Sequence, residues 1–146
     1  AHNFEAHERL FPMLVDSWRN WFGNPELPFY YVQLSSLERP SWPWFRDSQR
    51  RLLESRPHLG MAVSSDLGDP SDVHYKDKKP VGERLARLAL HDEYGFGLVP
   101  SGPLFKSAST LVEGQGQVLV TFQYGDGLRP SEGTEVTGFE LAGDDM

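Results

Sequence analysis

A chain of 146 residues with net charge −7 and 38% apolar residues is long enough for one ordinary domain, and its acidic balance offers no basic patch to a nucleic-acid backbone. It has no cysteines, and its five histidines, at 2, 7, 58, 74 and 91, include no His-x-x-x-His pair, so disulfides and thiolate metal sites are excluded and a zinc site is not expected. No window approaches the about 18 apolar residues of a membrane span, and the opening AHNFEAHE has no charged-then-apolar leader pattern.

In chain order, residues 5–22 predict a helix. Phe11, Leu14, Val15, Trp18 and Phe22 fall on one face, with Asp16, Arg19 and Asn20 off it. Pro12 must lie in its first turn or kink it, which places the regular part from about residue 11, and Gly23-Asn24-Pro25 stops it. Phe29 to Leu34 is a continuous β-prone run suited to a parallel strand covered on both faces. Ser35 to Pro40 then forms a loop at its carboxyl end. Ser41 is a reasonable N-cap for a helix from Trp42 to about Arg56, ended by Pro57. Trp18, Trp21, Trp42 and Trp44 crowd the first third of the chain. Core packing is the commoner use of such aromatics, and carbohydrate stacking the rarer one.

The most informative stretch is Met61 to Leu90. A short apolar run turns polar at Ser64-Ser65, as a strand does at its end, giving a strand over about 60–65. Asp66 to Asp77 is a loop with four aspartates, at 66, 69, 72 and 77, around His74. A helix over about 78–93 follows, with Pro80 in its first turn and Val81, Leu85, Leu88 and Ala89 at helical spacing. Strand, loop and amphipathic helix are how open α/β sheets present chemistry at the carboxyl ends of their strands. An imidazole there takes a proton from a hydroxyl nucleophile and returns it to a leaving group. A neighbouring carboxylate orients the ring and stabilises the imidazolium. Asp72 and Asp69 are the nearest candidates, with Asp72 ahead by proximity. A bare Asp-x-His also occurs by chance in solvated acidic loops.

After Pro100 the pattern changes. Leu104–Val112, Gln117–Tyr124 and Thr134–Leu141 alternate as strands do, split by Glu113-Gly114-Gln115-Gly116 and by Tyr124-Gly125-Asp126-Gly127. The expected organisation is α/β for residues 1–100, with the start of an appended antiparallel β region over 101–146.

Several stretches carry a family resemblance. DLGDPSDVHYKDKKPVGERLARLAL (66–90), LFPMLVDSWRNWFG (10–23), PFYYVQLSS (28–36), SGPLF (101–105) and GFELAG (138–143) together resemble the C-terminal part of the sialate O-acetylesterase family of SGNH hydrolases. The resemblance implies a flavodoxin-like three-layer sandwich and a serine esterase that removes acetyl groups from sugars. It implies an O-acetylated sugar as substrate, no cofactor, and a periplasmic or secreted location. His74 matches the catalytic histidine. The common pattern puts its aspartate three residues before the histidine, and Ser71 stands there; the orienting group is therefore Asp72, Asp69 or, in a Ser–His dyad, a backbone carbonyl.

The family's nucleophilic serine and oxyanion residues have no counterpart in this chain, which contains neither Gly-Asp-Ser nor Gly-x-Ser-x-Gly. Two parallel strands and three amphipathic helices also leave sheet edges and apolar faces open. Both observations predict a partner: the N-terminal part of the same enzyme, as a second chain or segment. The alternatives are a non-catalytic carbohydrate-binding or structural module, and an esterase of the acetylxylan type.

Overall fold

Asn3 opens the first helix, α1 (Phe4–Phe22): its Oδ1 accepts the Ala6 N–H at 2.8 Å, satisfying a donor that the helix leaves unpaired. The computed structural model describes residues 3–112, 116–130 and 132–140, and the chain divides into two compact units, Ala1–Ser101 and Gly102–Met146. The sequence places regular helix from about residue 11, but α1 is regular from Phe4 and runs through Pro12. The cap holds the first turn, and the buried proline ring packs inward, so tertiary contact outweighs the donor that proline lacks. Gly23 closes α1 at φ +63°, and the Asn24 N–H returns to the Arg19 carbonyl at 3.0 Å.

The buried side of α1 is Pro12, Val15 and Arg19, which corrects the face read from spacing. Arg19 turns inward because two backbone carbonyls await its guanidinium. Nε donates to Leu27 O at 3.0 Å and Nη2 to Pro57 O at 2.7 Å, tying together the segments that lead into the two strands. Leu14, Trp18 and Phe22, expected inside, stay about half exposed.

Strands β1 (Phe29–Val32) and β2 (Leu59–Ala62) pair in parallel, with Phe29 opposite Leu59 and Val32 opposite Ala62. Both are shorter than the β-prone runs that contain them, because side chains take over the backbone groups beyond Val32 and Ala62. The Gln49 amide bonds Leu34 N–H and Val32 O at 2.8 and 3.3 Å; Ser64 Oγ donates to Gln33 O at 2.5 Å; Arg84 Nη1 donates to Val63 O at 2.6 Å. The rings of Phe29 and Tyr31 meet Phe11 of α1 at 5.8 and 4.8 Å between centroids. Tyr30 points to the other face, where its hydroxyl donates to Glu93 at 2.7 Å. Helices therefore lie on both faces of the β1–β2 pair.

Helix α2 (Trp42–Arg51) gives way to a 3₁₀ turn at Leu52–Glu54, so the single helix expected to Arg56 is two pieces. Ser41 takes the cap position with helical φ and ψ and makes no side-chain cap bond. Helix α3 (Lys79–Asp92) has Pro80 in its first turn and packs on both strands. Gly95, at φ +68°, lets the Phe96 N–H reach back to Leu90 O at 2.9 Å. The buried apolar side chains Val15, Trp42, Leu52, Met61, Ala62 and Leu88 all belong to this first unit.

In the second unit β3 (Leu104–Val112) and β4 (Gln117–Gln123) form an antiparallel hairpin with register shifts at Phe105/Ser107 and Thr110/Val112. The expected turn residues Glu113, Gly114 and Gln115 lie outside the described residues. The third strand expected over 134–141 does not form over 134–140, and Leu141 lies outside the described residues. Gly138, at φ +87°, breaks the extended run that alternation alone suggested, and Gly133, at +64°, turns the chain just before it.

Candidate active site

Because β1 and β2 are parallel, the loops that follow them leave the same edge of the sheet. They are fastened to each other. The Glu38 N–H donates to Pro70 O at 2.9 Å, Ser36 Oγ bonds Ser65 O, and Arg46 Nη1 reaches Ser36 Oγ at 3.4 Å. Gly68 lies so close to Ser36 that a Cβ on it would stand 2.1 Å from Ser36 O and 2.3 Å from Ser36 N. From below, Trp42 Nε1 donates to the buried Ser35 carbonyl at 2.5 Å.

The loop after β2 is anchored at its root by Arg84 of α3. Its two Nη atoms hold both carboxylate oxygens of Asp66 at 2.6 Å, and Nη1 also holds Val63 O. This bidentate bond keeps the Asp66 carboxyl below the usual carboxylate range. Asp66 is thereby committed to the scaffold.

Further along, Asp69 Oδ1 accepts the Ser71 N–H and Ser71 Oγ, both at 2.8 Å, and the Asp72 N–H at 3.1 Å. The Ser71 N–H is the main reason its carboxyl also lies below the usual range. Asp72 Oδ1 accepts the His74 N–H at 2.7 Å. Asp69, Asp72 and His74 thus follow one another in a relay of side-chain to backbone bonds, the local chemistry that Asp favours in turns. The His74 side chain is exposed. Among the described residues its ring makes no hydrogen bond, and neither Asp69 nor Asp72 is bonded to it. Next to it, Lys78 Nζ lies 3.4 Å from the centroid of the Tyr75 ring.

The hydroxyls of Ser36, Ser64 and Ser71 each donate to a carbonyl or carboxylate, and none is bonded to His74. Of the other histidines, His58 Nε2 pairs with Glu26 and His91 Nδ1 with Asp92, both at 2.6 Å. His7 is wedged against the rings of Phe11 and Phe45, and burial lowers its pKa. Among the described residues no group of three His, Cys, Asp or Glu side chains could hold a metal ion, and no helix is long and apolar enough to cross a membrane. Sequence reasoning missed Arg84, Arg46 and Gln49 as the side chains that shape this edge. Their only signal was polar residues at positions one turn from apolar ones on α2 and α3.

No protein-family model matches the chain, and no curated protein does. Among solved structures it is similar to a carbohydrate acetylesterase from Xanthomonas citri. The likeness has a TM-score of 0.73 and 35% sequence identity, and covers 85% of this chain and 29% of that protein. The chain therefore spans under a third of the length of the protein it matches.

Proposed function

We propose that this chain is the histidine-bearing part of a serine carbohydrate O-acetylesterase. The observation that carries the reading is the likeness to the Xanthomonas acetylesterase in both sequence and fold. Helices on both faces of a parallel strand pair, with the His74 loop at the carboxyl edge, are also what a flavodoxin-like SGNH sandwich would present there. In this reading His74 removes the proton from a serine Oγ supplied outside this chain as that oxygen attacks the acetyl carbonyl. The imidazolium then gives the proton to the departing sugar oxygen. A water, deprotonated by the same imidazole, next attacks the acyl-serine and releases acetate.

Asp72 is favoured over Asp69 as the orienting carboxylate. One Asp72 oxygen already holds the His74 N–H, whereas Asp69 Oδ1 is occupied by three donors. In this reading the second Asp72 oxygen, which accepts none of those bonds, is the one that orients the ring. By resemblance the substrate is an O-acetylated sialic acid, with acetylated plant polysaccharide as runner-up, and the setting is periplasmic or secreted.

The test is turnover by the full-length protein on O-acetyl sialic acid and on acetyl-xylan. His74→Ala should lower kcat by several orders of magnitude, and Asp72→Asn by roughly 10²–10⁴ with KM little changed. Near-full activity of His74→Ala would remove the assignment. The isolated chain should hydrolyse 4-nitrophenyl acetate no faster than buffer.

A further inference from the structure

Tyr75 is the one Phe, Trp or Tyr in the loop from Asp66 to Asp77, and it directly follows His74. The carboxylates around it are occupied: Asp66 by Arg84, Asp69 by three donors of its own turn, and one oxygen of Asp72 by the His74 N–H. Tyr75 is half-buried, whereas His74 and Lys76 on either side of it are exposed. What holds its ring is Lys78. That lysine is the N-cap of α3 and makes no side-chain cap bond there. A positive charge at a helix start opposes the helix dipole. The ammonium nevertheless sits 3.4 Å from the centroid of the Tyr75 ring, and among the described residues it has no carboxylate partner. The negative face of the ring stabilises the charge, and the charge fixes the ring. Arg84, itself clamped by Asp66, stands within electrostatic range of the phenol. Among the described residues the Tyr75 hydroxyl makes no hydrogen bond, and no second aromatic ring meets it.

The proposed reaction gives a fixed ring at this place a use. The His74 imidazolium hands its proton to the departing sugar oxygen, which must then lie within about 3 Å of the imidazole. The sugar is bonded to that oxygen, so it rests against the residues beside His74. We propose that Tyr75 is the residue that recognises the leaving sugar. The ring face away from Lys78 takes the apolar C–H face of an acetylated pyranose, whose slightly positive hydrogens meet the negative π face. The free hydroxyl bonds a hydroxyl of the same sugar, the kind of placed polar group that fixes orientation in a site. The subsite touches the leaving group and not the acetyl group, so it favours a sugar over a plain alkyl alcohol as the group released. This inference rests on the esterase reading and adds to it the side chain that reads the sugar.

The experiment uses the full-length protein and two esters, followed by acid release at constant pH. One is whichever acetylated sugar above it turns over better; the other is ethyl acetate, which carries no sugar. The readout is the ratio of kcat/KM on the first to kcat/KM on the second. Tyr75→Ala should lower that ratio roughly tenfold, mostly through KM on the sugar ester. Tyr75→Leu, which fills the same place without a π face, should lower it by a similar factor and guards against a mere loosening of the loop. Tyr75→Phe keeps the stack and loses the hydroxyl, so the ratio should fall only about threefold. Lys78→Met releases the ring and should also lower it about threefold. A ratio unchanged in both Tyr75→Ala and Tyr75→Leu overturns the proposal, even if both rates fall together. That outcome leaves the esterase reading standing. No turnover of either ester by the unaltered protein, or near-full activity of His74→Ala, removes the esterase reading and the subsite with it.

Discussion

Gly68 has no room for a methyl group. A Cβ would overlap the backbone of Ser36 at 2.1–2.5 Å, and backbone cannot yield as a flexible side-chain tip does. The glycine is required by close approach of two loops. Gly68→Ala should push the His74 loop away from the loop after β1 and destabilise the first unit by about 1–3 kcal/mol. For a unit of this size that is a fall in Tm of roughly 4–8 °C per kcal/mol, read by calorimetry. An unchanged Tm would mean that the loops do not touch in solution. On the esterase reading proposed above, the same variant should also reduce kcat of the full-length protein, because it displaces the loop that carries the proposed base.

At the scale of elements, α2 is held to β1 by polar seams as much as by apolar packing. Gln49 is 6% exposed; its side chain serves Val32 O at the end of β1 and Leu34 N just beyond it, and its backbone carbonyl accepts the Tyr31 hydroxyl at 2.7 Å. Gln49→Leu keeps the volume and orphans the Leu34 N–H. It should destabilise by about 1–3 kcal/mol, seen as a lower urea midpoint with an unchanged m-value. The tyrosines on the two faces of β1 make the sheet alkali-sensitive. Burial raises the pKa of Tyr31, and burial followed by the Glu93 carboxylate raises that of Tyr30, both from an ordinary 10.0. A pKa raised by folding gives stability that is whole below the unfolded value and lost as pH climbs through the folded one. Stability should therefore fall from about pH 10 upward, and Tyr31→Phe should flatten that fall in a Tm series from about pH 8 to about pH 11.

At the scale of the molecule, the two units differ in what sustains them. All the buried apolar side chains among the described residues lie in the first; the second is a hairpin whose Phe105, Leu111, Leu119, Leu128 and Phe139 stay largely exposed. A two-stranded hairpin with no fully buried apolar side chain among its described residues is marginal in water. Amides of β3 and β4 should therefore exchange well before those of β1 and β2, and removing residues 102–146 should leave the main thermal transition in place. A lone, cooperative transition lost on that truncation would contradict this. On the acid side, Arg84 and Arg56 hold Asp66 and Asp16 below the ordinary 3.8. Depressed carboxyls stabilise above the unfolded value and lose that stabilisation as pH falls through the folded one. The acid loss therefore belongs below about pH 4, and Arg84→Met should weaken it.

Periodicity and punctuation alone located the helices, both parallel strands and the first hairpin, because 3.6- and 2-residue repeats and Gly/Pro stops are local properties. The order strand, acidic loop, helix around His74 was legible in the same way, and β2, the loop and α3 follow it. What local pattern could not contain was the partner of each polar group. Arg19 reads as a surface residue until two carbonyls from distant segments meet it, and Pro12 reads as a helix start until Asn3 caps the turn before it. Thr134 to Glu140 alternates like a strand but holds the left-handed Gly138 and, among the described residues, pairs with no strand. Tertiary structure alone decided that Asp66 belongs to Arg84, that Asp69 and Asp72 bind backbone rather than the imidazole ring, and that two loops meet at Gly68. Those outcomes depend on which groups the fold brings within hydrogen-bond range, and a one-dimensional pattern carries no such distances.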